Sequence, residues 1–163
     1  MAGAVRIGVT GHTRLTDRAA EVVYEALVRQ LRWLGAGAAI VGVTCLATGA
    51  DQVFARAVLA VGGRYEVVLP APGYGRTLAP AHRAAFYELL AAAGEVIHTG
   101  QQVSAQPAYT AASQIMLGRV HRLMAVWDGD TRGTPGGTAD VVAAARLRGV
   151  ATTVVWPAGA ART

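Results

Sequence analysis

Short apolar runs alternate with segments of helical periodicity along the whole chain. The first run, 5–9, ends in a turn at 10–12, and apolar residues then recur at helical spacing over Asp17–Leu34. Thr16 or Asp17 can cap this helix and Gly35 can end it. The same patterns predict five more strands and four more helices. The strands are 39–46, 65–69, 95–98, 122–127 and 152–156, and the helices are 50–61, 80–93, 107–118 and 138–148.

Between these elements we expect a Pro- and Gly-rich loop over 71–79 and a frayed tail after Pro157. Strands that are apolar on both faces and alternate with helices indicate a parallel sheet covered on both sides. With right-handed crossovers, this predicts a Rossmann-like, doubly wound α/β fold with a mainly parallel sheet and helices on both faces. The length of 163 residues suits a single domain, 1–163. Such folds bind ligands beyond the carboxyl ends of their strands.

Composition narrows the class of protein. Hydrophobic residues make up 53% and charged residues 15%, which argues against intrinsic disorder. The mean hydropathy of +0.34 is high, yet every apolar run is interrupted before the roughly 18 to 20 residues that a membrane-spanning helix needs. The N-terminus does not resemble a signal peptide, and the single cysteine, Cys45, excludes a disulfide framework. We therefore expect a cytoplasmic protein without a membrane partner, in which Cys45 is buried and inert.

The charge is basic but dispersed. All 15 basic residues are arginines, and the formal net charge is +5. Without lysine, neither Schiff-base chemistry nor a Walker-type phosphate lysine is possible. The arginines form no dense stripe, so we do not expect DNA as a partner. An arginine guanidinium does suit a phosphate ligand, because its fork grips two oxygens.

Two Gly-containing turns follow the first two predicted strands. In the first, Gly11 allows a close backbone approach, His12 lies on a turn, and Arg14 can meet an anion. His12 contacts a ligand or, alternatively, caps a helix or is merely exposed. In the second, Asp51 begins a helix, and Gly49 faces a ligand if the turn has a binding role rather than a structural one. Asp51 either accepts free N–H groups of that helix or grips a hydroxyl, such as that of a ribose.

A third turn, 127–140, carries most of the glycines. Gly129, Gly136 and Gly137 precede a helix whose first N–H groups they leave uncovered. Such an arrangement forms an anion site, most often for phosphate. Thr138 can bond a phosphate oxygen or cap the helix, and a generic capped turn is the alternative for the whole segment.

The histidines do not suggest a metal site. No two of them lie at metal-ligand spacing and no carboxylate pair stands near them, so we expect neither a metal nor a cofactor. Tyr109 either points its ring at a base or only packs.

Taken together, the motifs resemble the SLOG superfamily, the Rossmann-like group that includes the Lonely Guy and the DNA-processing SMF proteins. The resemblance covers roughly residues 6–156. The carrying motifs are Gly8-Val9-Thr10-Gly11-His12, Thr48-Gly49-Ala50-Asp51, Ala125-Val126-Trp127-Asp128-Gly129 and Gly136-Gly137-Thr138-Ala139-Asp140-Val141-Val142. The combination in this order is specific, whereas each piece alone is not. The resemblance implies binding of a nucleotide or a nucleotide-derived ligand at the strand ends.

Lonely Guy enzymes hydrolyse nucleoside 5′-monophosphates and use a PGGxGTxxE motif with a catalytic Glu. Pro135-Gly136-Gly137-Thr138 resembles a shortened version, in which the position of that Glu holds Val141 and Asp140 lies one residue away. Arg119 is the nearest candidate for the family's catalytic Arg. If the protein is catalytic, Asp128, at the end of a predicted strand, is the candidate carboxylate.

Three functions therefore stay open. The first is binding of a phosphate-bearing nucleotide or nucleotide-derived ligand, as in the Lonely Guy-like molybdenum cofactor carriers, which bind without turnover. The second is a Lonely Guy-like phosphoribohydrolase, and the third is an SMF-like DNA-binding protein. Relatives commonly form dimers, so a homodimer through an apolar face with Leu27, Leu31 and Trp33 is possible, although a core role explains these residues equally well.

Overall fold

A computed structural model describes residues 3–163 and contains one six-stranded sheet. All strand pairs are parallel, and the strand order is β4-β3-β2-β1-β5-β6. The strands are β1 (Val5–Gly11), β2 (Ile40–Thr44), β3 (Arg64–Leu69), β4 (Glu95–His98), β5 (Arg122–Val126) and β6 (Ala151–Val154). The helices are α1 (Asp17–Leu34), α2 (Ala50–Ala60), α3 (Tyr74–Thr77), α4 (Pro80–Ala91), α5 (Gln106–Gly118) and α6 (Thr138–Leu147). The Rossmann-like, doubly wound α/β fold is confirmed.

The helices cover both faces of the sheet. Helices α1, α2 and α4 share one apolar cluster with side chains such as Ile7 and Val67, whereas α5 and α6 pack with Val43 and Val68 on the opposite face. The alternation of Val67 and Val68 between the two clusters reflects the two-residue period of a strand. The chain order reverses between β1 and β5, so this pair of strands forms the switch point of the sheet.

The helix bounds agree closely with the sequence patterns, and α1 shows why. The Thr16 hydroxyl accepts a hydrogen bond from the Ala19 amide at 3.1 Å, and Gly35 is the C-terminal cap. Leu27 and Leu31 are fully buried beneath this helix, so neither is available for a dimer interface. Trp33 alone of the proposed apolar face is exposed, at 73%.

Three local predictions are wrong. Strand β1 continues to Gly11, because Gly11 pairs with Val126 of β5. The expected loop 71–79 contains the short helix α3. The tail after Pro157 is not frayed: the carbonyl of Ala161 accepts a hydrogen bond from the Thr16 amide at 3.2 Å.

Candidate functional site

A cleft of about 690 Å³ lies at the carboxyl ends of the central strands. Its lining comes from the end of β1, the segments that follow β2, β3 and β5, and the adjoining faces of α5 and α6. The cleft therefore spans the switch point, where doubly wound sheets bind their ligands.

Six of the ten residues predicted from the sequence line this cleft, and four do not. Those that line it are Gly11, His12, Asp51, Gly136, Gly137 and Thr138. The other four, which lie outside its lining, are Arg14, Gly49, Asp128 and Gly129.

Gly49 has a structural reason that the sequence did not reveal. Its φ of +81° is the left-handed region, and a Cβ there would lie 2.5 Å from the carbonyl oxygen of His12. Gly11 is equally confined, because a Cβ there would lie 2.6 Å from that of Ala50. The amide of Ala50 also donates to the carbonyl of His12 at 3.1 Å. Both glycines thus allow the start of α2 to pack directly on the end of β1.

The start of α6 shows which amides of the third turn are free. The Gly136 amide donates to the Asp140 carboxylate at 2.6 Å, and the Gly137 amide donates to the Thr134 carbonyl at 2.9 Å. Within residues 3–163, the amides of Thr138 and Ala139 have no acceptor, and no side chain caps this helix. Of the amides that the sequence predicts to be free in this turn, those of Gly136 and Gly137 are therefore engaged, and those of Thr138 and Ala139 are not.

His12 and Asp128 meet at the rim of the cleft. His12 Nε2 lies 3.2 Å from both the carboxylate and the backbone nitrogen of Asp128, and the ring packs edge-on against Trp156 with centroids 5.3 Å apart. The hydrogen bond from the Asp130 amide is the largest cause that lowers the pKa of Asp128, and the charges of His12 and Arg162 act in the same direction. Asp128 is thus an ionised carboxylate with partners already in place.

Two arginines that line the cleft are held by carboxylates. Arg132 contacts Asp130 at 3.0 Å, and Arg162, from the C-terminal tail, contacts Asp128 and Asp130 at 3.0 and 3.2 Å. Hydrogen bonds from the Arg132 side chain and amide hold the pKa of Asp130 well below its usual range. The sequence does not predict Arg162 as a site residue, because it is far along the chain from the Gly-containing turns and belongs to no motif.

At the floor of the cleft, the carboxyl group of Asp51 lies near aromatic side chains. Asp51 is 7% exposed, and its carboxylate accepts a hydrogen bond from the Ala47 amide at 3.2 Å. Tyr74 and Tyr109 line the same region, with ring centroids 6.2 Å apart. Tyr74 was missed because it belongs to α3, which the sequence pattern did not predict.

Cys45 lies in the lining and is only half-buried. Burial, and secondarily the charge of Asp51, raise the pKa of its thiol far above the usual range. A thiol that stays protonated is a poor nucleophile.

Arg119 does not lie near the cleft. Its guanidinium contacts Glu66 at 3.0 Å and Glu95 at 3.3 Å, at the amino-terminal ends of β3 and β4. The assignment of Arg119 as a counterpart of a catalytic arginine is therefore wrong, since active groups of this fold class lie at the other end of the sheet.

Two other kinds of site are absent from the part of the chain that the structure describes. No group of three or more His, Cys, Asp or Glu side chains in residues 3–163 is placed to hold a metal ion. No helix of these residues has the length and apolar character needed to cross a membrane.

No protein-family model and no curated protein sequence matches the chain. Solved structures match in fold. DNA processing protein A (DprA) from Streptococcus pneumoniae gives a TM-score of 0.67 at 16% identity, over 92% of this chain and 50% of that chain. DprA from Helicobacter pylori gives 0.66 at 14% identity, over 92% of this chain and 64% of that one. The molybdenum cofactor binding protein from Rippkaea orientalis gives 0.58 at 16% identity, over 92% and 75%.

These likenesses define a class of fold: a Rossmann-like parallel sheet with a cleft at its switch point. At 14 to 16% identity these likenesses extend to the fold and no further. This chain spans 50 to 64% of the two DprA chains.

Proposed function

We propose that the cleft binds a phosphate-bearing nucleotide or nucleotide-derived ligand, with the phosphate at the first turn of α6. The observation that carries this proposal is the pair of unbonded amides, Thr138 and Ala139, beside a cleft at the switch point of the sheet. Free N–H groups at a helix N-terminus, together with the helix dipole, favour an anion. The similar protein from Rippkaea orientalis binds the molybdenum cofactor, which is in keeping with a small-molecule ligand here.

Two arginines of the cleft can contribute to phosphate binding. Arg132 and Arg162 line the cleft, and both are exposed enough to exchange a carboxylate partner for a phosphate. A guanidinium binds carboxylate and phosphate with the same two-pronged geometry, so the exchange preserves the hydrogen-bonding pattern.

Binding without hydrolysis is favoured over a Lonely Guy-like reaction. Val141 lines the cleft at the position where the resemblance places a catalytic Glu, and Asp140 is engaged by the Gly136 amide. A hydrolase that cleaves an N-glycosidic bond needs a carboxylate beside the positive charge that grows on the sugar. Asp128 is the remaining candidate, and it is held by His12 and Arg162 outside the lining.

DNA binding is the second candidate, because the two DprA structures have the higher TM-scores and the Helicobacter pylori protein binds single-stranded DNA. Against this candidate, the lining of the cleft within residues 3–163 includes two arginines, Arg132 and Arg162, and no row of basic side chains that could follow a nucleic-acid backbone. Since phosphate contacts make DNA affinity fall steeply with salt, titration of an oligonucleotide at 50 and 200 mM salt tests this candidate. We expect weak binding at both concentrations, and strong salt-dependent binding would support the DNA function.

The direct test compares nucleotides with their nucleosides by calorimetry, using AMP and adenosine, GMP and guanosine, and ADP-ribose and NAD as extended ligands. A phosphate held by charge-assisted hydrogen bonds, each about 1.5 to 3 kcal/mol, makes a nucleotide bind at least about tenfold tighter than its nucleoside. Equal affinities, or no binding of any of these ligands, would contradict the proposal.

A parallel assay for released base separates binding from hydrolysis. We expect no release from AMP, GMP or CMP above the uncatalysed background. Release that disappears in Asp128→Asn would favour the phosphoribohydrolase instead.

A further inference from the structure

Asp51 is a buried carboxyl group at the floor of the cleft that meets no cation. It is 7% exposed, it lines the cleft, and it forms no ion pair with any residue in 3–163. Its carboxylate accepts a hydrogen bond from the Ala47 amide at 3.2 Å, and the Cys45 amide and the Thr44 hydroxyl approach it as well. It is not a cap of α2, because no side chain caps the first turn of that helix.

The surroundings penalise the ionised form of this carboxyl. Burial raises the pKa of Asp51 to about 7, although the amides of Ala47 and Cys45 and the Thr44 hydroxyl all lower it. The nearby titratable groups are Cys45 and Tyr74, and their raised pKa values keep both side chains neutral at pH 7. A buried carboxylate without a cation is costly unless strong hydrogen-bond donors approach it.

The walls beside Asp51 are flat and largely apolar. Tyr74 and Tyr109 line the cleft with their rings at 69°, and Ala112 and Met116 of α5 line it as well. The Tyr74 hydroxyl has no hydrogen-bond partner among the described residues, and the charge of Asp51 contributes to the rise in its pKa after burial. Aromatic and apolar walls with a few convergent polar groups suit the burial of a ring.

Asp51 and the first turn of α6 lie on different sides of the same cleft. Helix α6 packs on one face of the sheet and α2, which carries Asp51, packs on the other. The first turn of α2 lies against the end of β1, since the Ala50 amide donates to the carbonyl of His12. A nucleotide that places its phosphate at Thr138 and extends across the end of β1 brings its base to Asp51 and Tyr74.

We propose that Asp51 binds the base of the ligand and selects a heteroaromatic ring whose edge carries an N–H beside an amino group, as guanine does. This inference rests on the proposed function. In its ionised form the carboxyl of Asp51 only accepts hydrogen bonds, so adjacent N–H donors of a ligand stabilise that form, whereas the ring nitrogen acceptor of adenine opposes it. A ligand without such donors adds no partner to those that Asp51 has in its own turn and still covers the carboxylate, so the site discriminates against that ligand.

The test is calorimetric titration of GMP, IMP and AMP, because IMP differs from GMP only in lacking the amino group. We expect the wild-type protein to bind GMP about tenfold or more tighter than IMP, and to bind AMP weakest. Asp51→Asn weakens GMP by about ten- to a hundredfold and removes the preference for GMP over IMP. The control is Thr138→Pro, which weakens all three nucleotides by the same factor, because it acts at the phosphate.

The outcomes distinguish this inference from the proposed function. If Asp51→Asn weakens GMP, IMP and AMP equally, Asp51 binds the shared ribose, and base selection is overturned while nucleotide binding stands. If the wild-type protein binds the three equally, base selection is overturned without any variant, even if Asp51→Asn fails to fold. If none of the three binds, the proposed function fails and this inference fails with it.

Discussion

The buried carboxyl of Asp51 lowers the free energy of unfolding at neutral pH. Its carboxyl is buried, has no cation beside it, and has a pKa raised to about 7, mainly by burial. Ligand sites often retain groups that destabilise the free protein, since activity depends on them. This makes the effect of Asp51 on stability a separate measure of its environment, independent of any ligand.

The pH dependence of unfolding follows from that pKa. Between the ordinary value of 3.8 and about 7, the folded protein keeps the Asp51 proton that the unfolded chain has lost. The free energy of unfolding contributed by this group therefore falls as the pH rises through this window, by up to about 4 kcal/mol. It is fully present below the unfolded pKa and is lost above the folded pKa.

Asp51→Asn removes this titration, so its stability relative to wild type should rise from pH 4.5 to pH 8. Urea denaturation of both proteins across the range measures the difference, and the other carboxyl groups cancel in the comparison. A difference that stays constant with pH would show that Asp51 does not titrate in the folded state near neutrality.

Among the elements, the entry to α2 fixes the floor of the cleft. Gly49 adopts a φ of +81°, and a Cβ added there would meet the carbonyl oxygen of His12, just as a Cβ added at Gly11 would meet Ala50. These contacts hold the end of β1 against the first turn of α2, which carries Asp51.

Gly49→Ala should destabilise the protein by more than the backbone strain alone, which is about 1 to 3 kcal/mol. The added Cβ would lie 2.5 Å from a backbone oxygen that cannot move without shifting β1. Gly129→Ala is the matched control: its φ is +87°, but nothing lies within 4 Å of the added Cβ. Chemical denaturation of the two variants should show the larger loss for Gly49→Ala, and equal losses would mean that the contact with His12 is unimportant.

The elements that were predictable carry their signals locally. Thr16 and Gly35 bound α1, and runs of apolar residues mark the strands. Helix α3 has only four residues, too few for a helical period to show. The extension of β1 to Gly11 and the docking of Ala161 on Thr16 depend on residues far away in sequence, so no local pattern reports them.

In the candidate site, too, local sequence patterns predict some residues, whereas contacts between residues far apart in sequence bring in the others. Turns that follow strands were correctly expected to meet at one edge of the sheet, which placed His12, Asp51 and Thr138 in one cleft. Tyr74 and Arg162 enter it through a short helix and a packed tail, which the sequence pattern did not reveal. Arg119 looked suitable by position in the sequence, yet it lies at the opposite end of the sheet with Glu66.

At the scale of the whole molecule, the two ends of the sheet have separate roles. Glu66, 2% exposed, is surrounded at the amino-terminal end by Arg6 at 2.6 Å and Arg119 at 3.0 Å. Burial raises the pKa of Glu66, but the hydrogen bonds and charges of the two arginines outweigh it and hold the pKa below its ordinary value. The cleft lies at the carboxyl end and contains none of these residues.

Glu66→Gln should therefore reduce stability and leave nucleotide affinity unchanged. Removal of one partner of a buried ion pair costs about 3 to 5 kcal/mol, and less here because the arginines are partly exposed. The control is Glu95→Gln, an exposed partner of Arg119, which should change stability by less than about 1 kcal/mol. Thermal unfolding measures the first effect and calorimetry the second; a loss of nucleotide affinity in folded Glu66→Gln would contradict the separation.

One pair of variants at the start of α6 measures directly whether its free amides bind a phosphate. Thr138→Pro removes one of those amides at a helix position where proline is well tolerated, whereas Thr138→Ala removes only the hydroxyl. Calorimetric titration with GMP and guanosine should show GMP affinity about tenfold or more lower in Thr138→Pro, a smaller loss in Thr138→Ala, and little change for guanosine in either. Unchanged GMP affinity in folded Thr138→Pro would contradict phosphate binding by these amides.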